Sequence, residues 1–211
     1  MEKHLTVLKE LKHLYPDAKY YLNFKTPLDL LVAAILSAQV RDTVVNDATP
    51  KLFAKYKTAS DYARASQDDL LKYVSAVTFA GNKVKNIIAA CKILEQQHEG
   101  KVPKDLNALV DLPGIGRKTG LVILANAFDL VEGVVCDTHV IRVSYRLGWT
   151  KNKNPDKIGE DLERLFPKEE WKTLPWILKA HGRAVCQAPT PSCSKCPIAK
   201  YCPKAGVSKS L

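Results

Sequence analysis

No stretch of these 211 residues reaches the roughly 18 to 20 consecutive apolar residues that a bilayer-crossing helix takes. The opening MEKHLTVLKELK lacks the apolar core and cleavage site of a secretory signal, and Glu2 and Glu10 argue against a transit peptide. A soluble, intracellular protein with no membrane partner is the expectation. Low-complexity tracts and internal repeats are missing too. Ten glycines and twelve prolines, with 46% apolar and 26% charged residues, exclude collagen-like, disordered and scaffold-type chains. Alternating strand patterns are scarce, and VEGVVC at 131–136 is the one modest candidate. Acidic side chains run out at Glu170; beyond it Lys172, Lys179, Arg183, Lys195, Lys200, Lys204 and Lys209 give seven positive charges in a chain of net charge +10. A basic surface of this kind attracts phosphate and gains from counterion release, so nucleic acid is the natural partner. The plainer alternative is a basic face that only keeps the protein soluble. A chain this long, as one domain or two, buries roughly 70% of its unfolded surface and needs no disulfides for stability.

What is present is helical periodicity. Leu5, Leu8, Leu11 and Leu14 form one apolar stripe that stops at Tyr15-Pro16, and LDLLVAAILSA at 28–38 is apolar almost all round, the mark of a buried helix. Ser66 with Asp69 resembles a capping box opening a helix. Val84, Ile87, Ile88, Cys91 and Leu94 share a face that ends at Gly100. Leu106, Leu109 and Val110 mark a short helix, and 117–128 a second, with Pro113-Gly114-Ile115-Gly116 between them. Further helices are predicted at 138–147, 155–166 and 170–185, the last interrupted by Pro175. The fold class is all-α.

In LPGIGRKTG at 112–120, Pro113 ends a helix, and Gly114 and Gly116 permit backbone angles closed to other residues and let a phosphate approach the main chain. The unpaired N–H groups opening the next helix, with the positive end of its dipole behind them, form an anion site. The same residues also suit a plain helix–helix turn. Lys118 sits in the first turn of that helix, where the dipole and Arg117 both disfavour a cation. A neutral amine nucleophile is thereby more accessible, although another phosphate contact is the simpler role. Asp137, in CDTHVIRV, opens a helical stretch. An N-cap is its commonest use, which does not exclude a chemical one.

Cys186, Cys193, Cys196 and Cys202 have six, two and five residues between them. Four cysteines this close in a chain of intracellular character indicate a metal site rather than disulfides. Four thiolates suit structural zinc or a [4Fe–4S] cluster. The unequal gaps lack the paired CxxC of many zinc sites, which leans toward iron–sulfur without separating the two. Cys91 and Cys136 lie outside the group and read as buried apolar residues.

Taken together, LNFKTPLDLLVAAILSAQ at 22–39, LPGIGRKTG at 112–120, CDTH at 136–139, HGR at 181–183 and the C-x6-C-x2-C-x5-C group resemble, in order, the endonuclease III family of DNA glycosylases within the helix-hairpin-helix superfamily. The resemblance covers almost the whole chain and selects iron–sulfur over zinc. It implies a six-helix lobe at 24–132 carrying the hairpin, and a second lobe made of 1–23 and 133–211 with the cluster. The partner would be damaged double-stranded DNA, with the active site in the cleft between Lys118 and Asp137. The damaged nucleotide would be flipped out. Lys118 would attack the sugar C1′, expel the base and form a Schiff base, and β-elimination would then cut the strand 3′ to the lesion. Asp137 would stabilise developing positive charge and assist proton transfer. Gln39 would fill the gap left by the flipped nucleotide. Gly114, Gly116, Arg117, Thr119, His139 and Arg183 would contact DNA. The [4Fe–4S] cluster on the four cysteines would be structural, its net charge of about −2 partly offsetting the basic tail. A monomer in a prokaryotic cytoplasm, at the nucleoid, is implied.

The chain departs from the family's pattern at several places. Where a Gly-Leu-Tyr-Asn-type wedge is usual it has VTFAGNK at 77–83, so Phe79 takes the wedge's place and could stack between bases. Arg41 stands where a small or polar residue is usual and offers a further phosphate or base contact. The QAPTPS loop between Cys186 and Cys193 has no basic residue, so Arg183, Lys195 or Lys200 would substitute. Gly120 replaces a commoner Ala at under ~1 kcal/mol. Oxidised pyrimidines of the thymine-glycol type are the expected substrates. A pyrimidine-dimer or mismatch glycosylase of the same fold, or a non-catalytic hairpin module that grips DNA, are the competing readings. An electron-transfer ferredoxin fits poorly, since it leaves the hairpin unexplained.

Overall fold

The computed structural model describes residues 2–211. Eleven α-helices run along them: α1 (Lys3–Leu14), α2 (Pro27–Ser37), α3 (Asp42–Lys55), α4 (Ala59–Arg64), α5 (Gln67–Val74), α6 (Ala80–Gln97), α7 (Leu106–Val110), α8 (Arg117–Ala127), α9 (Thr138–Arg146), α10 (Pro155–Leu165) and α11 (Leu174–Ala184). Three 3₁₀ turns cover Lys168–Glu170, Cys193–Lys195 and Ala199–Tyr201. Among the described residues there is no strand and no helix long and apolar enough to cross a membrane. The chain divides into two compact units, one of Tyr21–Leu130 and one of the chain up to Tyr20 with Val131–Leu211.

In the unit Tyr21–Leu130, α2 is the centre. Every residue from Leu28 to Leu36 is buried, and α3, α6 and α8 pack around it. Its start is fixed by a reciprocal cap. Thr26 Oγ1 accepts from the Asp29 N–H (3.1 Å), and the Asp29 carboxylate accepts from the N–H groups of Thr26 (3.0 Å) and Lys25 (3.1 Å). Pro27 stands in the first turn, where its missing N–H leaves no bond unmade. Thr58 and Asp61 repeat the device at α4. The predicted box at Ser66 is only half formed. Its hydroxyl accepts from the Asp69 N–H but donates to the Asp69 carboxylate, so that carboxylate does not return to the Ser66 backbone.

The other unit buries one face each of α1, α9, α10 and α11 against a shared core that includes Leu8, Leu11, Val143, Leu162 and Leu178. The strand considered at 131–136 does not form. Val134, Val135 and Cys136 are buried, but the Val134 N–H is taken by the Glu163 carboxylate at 2.9 Å in place of a neighbouring strand. The predicted helix at 170–185 begins at Leu174, because Pro175 lies in its first turn and marks a start rather than an interruption. α3 and α4 were not foreseen.

The all-round burial of α2 makes a direct stability test. Leu31, fully buried in it, is expected to cost about 2–5 kcal/mol when truncated to Ala. Leu14→Ala, at an exposed position of α1, should cost under about 1 kcal/mol. Urea titration of both variants checks the difference.

Candidate functional site

The hairpin of α7 and α8 is built from the turn Leu112–Gly116. Asp105 caps α7 through the Ala108 N–H (2.8 Å), and the Ile115 N–H closes the turn on the Leu112 carbonyl (3.0 Å), with Ile115 buried. Gly114 has φ +86°, and a Cβ there would meet the Asn86 side chain at 3.0–3.2 Å, so both conformation and space require glycine. Gly116 differs from the expectation. Its backbone (φ −91°, ψ 169°) is open to any residue, and a Cβ there would meet nothing within 4 Å. What its missing side chain gives is access, since it is the N-cap of α8 and no side chain caps that helix. The helix begins its own bonding only at Gly120 N to Gly116 O (2.9 Å), which leaves the N–H groups of Lys118 and Thr119 at an end that no side chain caps. Arg117 and Lys118 are exposed there and Thr119 is half-buried. Gly120 is buried, and a Cβ on it would come within 2.7 Å of Leu106 Cδ1, so the hairpin helices approach closely through it.

Two further predicted residues of this unit share an unusual backbone. Gln39 (φ 57°) follows α2 and Phe79 (φ 58°) precedes α6, both left-handed and neither a glycine. Gln39 is exposed, as is Arg41 at the start of α3, and Phe79 has 66% of its surface in solvent. A phenylalanine exposed in a strained conformation is held for something other than packing.

In the other unit, Asp137 caps α9. Its Oδ1 accepts from the His139 N–H (2.8 Å) and the Val140 N–H (2.9 Å), so the cap engages Oδ1 and not Oδ2. His139 accepts on Nδ1 from Arg142 Nη2 at 3.0 Å, which places the imidazole proton on Nε2. Burial pushes the His139 pKa below its ordinary value; Asp137 pulls upward, and Arg142, Arg183 and Lys179 push further down. A neutral His139 with one oriented donor results. Arg183 is exposed on α11.

Cys186, Cys193, Cys196 and Cys202 line one cavity together with apolar side chains such as Val143, Leu147 and Ile198. Among the described residues no group of His, Cys, Asp or Glu is arranged around a single-ion position. All four thiols are free. Burial raises the pKa values of Cys196 and Cys202, and the neighbouring sulfurs raise them further. Four thiolates gathered in one cavity would repel one another, and the set would need a positive core. The donors it would meet are already placed: Arg146 Nη1 on Cys186 Sγ (3.4 Å), the Lys204 N–H on Cys202 Sγ (3.3 Å) and His181 Nε2 beside Cys196 Sγ (3.8 Å). This donor set fits a polynuclear thiolate-ligated cluster. Cys91 and Cys136 are buried, and burial pushes each thiol up to about 12, as suits inert core residues.

Sequence reasoning missed the residues that hold this loop. Arg146, itself buried, donates to the carbonyls of Cys186, Gln187 (2.7 Å) and Pro189, and Arg142 donates to those of Cys186 (3.0 Å) and Gly182 (2.9 Å). His181, 1% exposed and pushed down to about 4 by burial, has the Tyr15 hydroxyl on Nδ1 at 3.1 Å. The HGR motif contained His181, but only its arginine was given a role.

Comparison with known proteins agrees with this arrangement. Residues 32–168 match the model of the HhH-GPD superfamily of base excision DNA repair proteins. Endonuclease III of Synechocystis sp. is 43% identical over 96% of this chain and 92% of its own length, and endonuclease III of Escherichia coli K12 is 37% identical over 95% and 94%. A solved structure of a trapped endonuclease III–DNA covalent intermediate superposes with a TM-score of 0.89 at 36% identity, covering 97% of each chain. A thermostable thymine-DNA glycosylase shares the fold, with a TM-score of 0.84 at 22% identity over 96% of this chain and 95% of that one.

The two hairpin glycines should separate in a stability measurement. Gly114→Ala is expected to cost about 1–3 kcal/mol, through the left-handed backbone and the contact with Asn86. Gly116→Ala should cost at most about 1 kcal/mol. Equal losses in urea titrations would contradict the distinction.

Proposed function

The chain belongs to the HhH-GPD superfamily of base excision DNA repair proteins, with endonuclease III relatives along nearly its whole length, and we propose that it acts on oxidised pyrimidines of the thymine-glycol type in duplex DNA. It is a DNA glycosylase with AP lyase activity. The observation that carries the reading is the start of α8, which no side chain caps, with an open position at Gly116 and the exposed Lys118 in one turn.

A DNA phosphate is held by the N–H groups opening α8 and by Arg117, which needs no base contact and fixes the register of the strand. Gly116 leaves room for that phosphate at the main chain. Gln39 occupies the gap left by the extruded nucleotide and Phe79 stacks against the exposed bases; their left-handed backbones turn them outward. The Lys118 amine attacks C1′ of the sugar as the bond from C1′ to the base breaks, and the base leaves with a proton. Loss of the amine's protons and opening of the sugar ring give the Schiff base. The imine acidifies the hydrogen on C2′, whose removal expels the 3′ phosphate by β-elimination. Asp137 serves the charge that develops on the sugar and the proton transfers through Oδ2, the oxygen its helix cap leaves over. His139 and Arg183 supply a neutral donor and a cation toward the phosphates.

Cys186, Cys193, Cys196 and Cys202 hold a [4Fe–4S] cluster with a structural role, fastening the C-terminal loop. That loop's cations lie at Lys195, Lys200 and Lys204, and QAPTPS contributes none. The protein works as a monomer on chromosomal DNA in a bacterial cytoplasm, a reading that the bacterial sources of its relatives support.

Borohydride trapping on a duplex with one thymine glycol tests the chemistry. A covalent protein–DNA adduct is expected from the unaltered protein and none from Lys118→Ala. If an abasic-site duplex also fails to trap, the lyase assignment falls and a monofunctional enzyme or a DNA-gripping module remains. Trapping on abasic DNA without release of thymine glycol points to another lesion, a pyrimidine dimer first. Anaerobically purified protein should carry about four iron and four acid-labile sulfide per chain. Cys202→Ser should lower both, and stoichiometric zinc instead would overturn the cluster assignment.

A further inference from the structure

The lysine that closes VTFAGNK does not face solvent. Lys83 is 6% exposed, and its Nζ donates to the carbonyls of Leu36 (2.8 Å) and Ala38 (2.6 Å), at the C-terminal end of α2. A helix that ends in a left-handed residue normally wraps its own backbone around that end. Two other left-handed positions of this unit do so. After Glu99 the Gly100 N–H returns to Leu94 O (2.9 Å), and after Asp129 the Leu130 N–H returns to Leu124 O (3.0 Å). At Gln39 the following N–H, of Val40, reaches only Ser37 O (3.1 Å). The carbonyls on either side of Ser37 are taken by the Lys83 ammonium, a cation at the negative end of a helix dipole.

Lys83 is also fastened to Phe79. It lies in the first turn of α6, and its backbone N–H donates to Phe79 O (3.3 Å). One buried side chain therefore joins the end of the segment that presents Gln39 to the start of the helix that presents Phe79. Both presented residues are exposed, both are left-handed, and neither is held by packing of its own side chain in a core.

We propose that Lys83 is a positioning residue that locks Gln39 and Phe79 together as one probe, so that the gap-filling and wedging groups enter the duplex in fixed register. This rests on the reading of the chain as a glycosylase that extrudes its substrate. Lys83 touches neither DNA nor the reacting sugar and acts only through the two residues it holds. A purely structural helix cap would instead leave the probe's action intact in any variant that still folds.

The experiment uses the full chain with Lys83→Met, which keeps the side chain's length and removes its donors, and Lys83→Gln, which can still donate to one carbonyl and serves if Lys83→Met does not fold. The first readout is 2-aminopurine fluorescence opposite the lesion, which reports unstacking on binding. The second is single-turnover base release. Lys83→Met is expected to lose at least about half of the fluorescence rise and about tenfold in base release, with duplex affinity, set by phosphates, shifted less than about threefold. Lys83→Gln should lie between Lys83→Met and the unaltered enzyme. On a background carrying Gln39→Ala and Phe79→Ala, Lys83→Met should add less than about twofold, because nothing remains for it to position. A full tenfold loss on that background, or Lys83 variants equal to the unaltered enzyme in both readouts, overturns the proposal alone. An unaltered enzyme that neither releases base nor traps with borohydride overturns the functional reading, and the proposal with it.

Discussion

α2 is buried on every side from Leu28 to Leu36, and the backbone groups at both of its ends are bonded by side chains of the protein. Leaving one such group unpaired costs about 1–3 kcal/mol, so a few of them would consume most of a typical stability of about 5–15 kcal/mol. Charged side chains meet the demand at both ends: the Asp29 carboxylate with Thr26 at the start, and the Lys83 ammonium at the finish. Each has the sign that the dipole favours at its end. Burying the ammonium is unfavourable in itself, and burial does push the Lys83 pKa below its ordinary value. Two charge-assisted bonds of about 1.5–3 kcal/mol each set against that penalty explain why a lysine is tolerated there. The functional geometry follows from the same constraint, because the chain leaves the capped end of α2 directly into Gln39.

The unit with the four cysteines solves a different problem. From Cys186 onward the only regular structure is two 3₁₀ turns, too little to bury an apolar core of its own. The loop is held from outside by α9, whose Arg142 and Arg146 bond its carbonyls at Cys186, Gln187 and Pro189 and that of Gly182 in α11, and its end is tied back by Leu211 to Pro191 and Ser194. Guanidinium groups suit this task because one planar group bonds several acceptors in fixed directions. Arg146 also places positive charge beside Cys186 Sγ (3.4 Å), so an arginine that holds the loop would offset the negative charge this sulfur carries as a metal ligand.

Much of this was legible in the sequence, for reasons that also explain what was not. α1, α2 and α6 carry long apolar patterns that only a helix can satisfy, and the hairpin carries its own punctuation. α3 escaped because DTVVNDATPKLFAK buries only Val45, Thr49 and Leu52 and contains Pro50. That proline removes an N–H from the ladder, which normally argues for a break. The helix survives because tertiary contacts hold it, among them Asn46, which bonds the backbone of Asn23 (2.8 Å) and Tyr21 (2.8 Å). Lys83, Arg142 and Arg146 escaped for another reason. A charge in a sequence reads as a solvated surface group, and nothing local announces that distant carbonyls will collect around it. Gly116 was read for both its backbone angles and the access it gives to the main chain, and only the first is contradicted, since a sequence cannot tell a glycine needed for its angles from one needed for the space it leaves.

At Asp137 the helix cap leaves room for the chemistry proposed for that residue. A carboxylate has two oxygens with about four acceptor sites, and the cap engages only Oδ1, through two N–H groups within 2.9 Å. Those two bonds remove the freedom that a lone aspartate on a loop would have, so Oδ2 is held in a fixed direction before any substrate arrives. Electrostatic stabilisation of a developing charge depends on that kind of preorganisation, because a group that must first reorient gives back part of what it contributes. The commonest structural use of an aspartate at a helix start is therefore the means by which this one could be aimed. The N-cap reading of the sequence and the proposed catalytic one are therefore compatible in a single carboxylate.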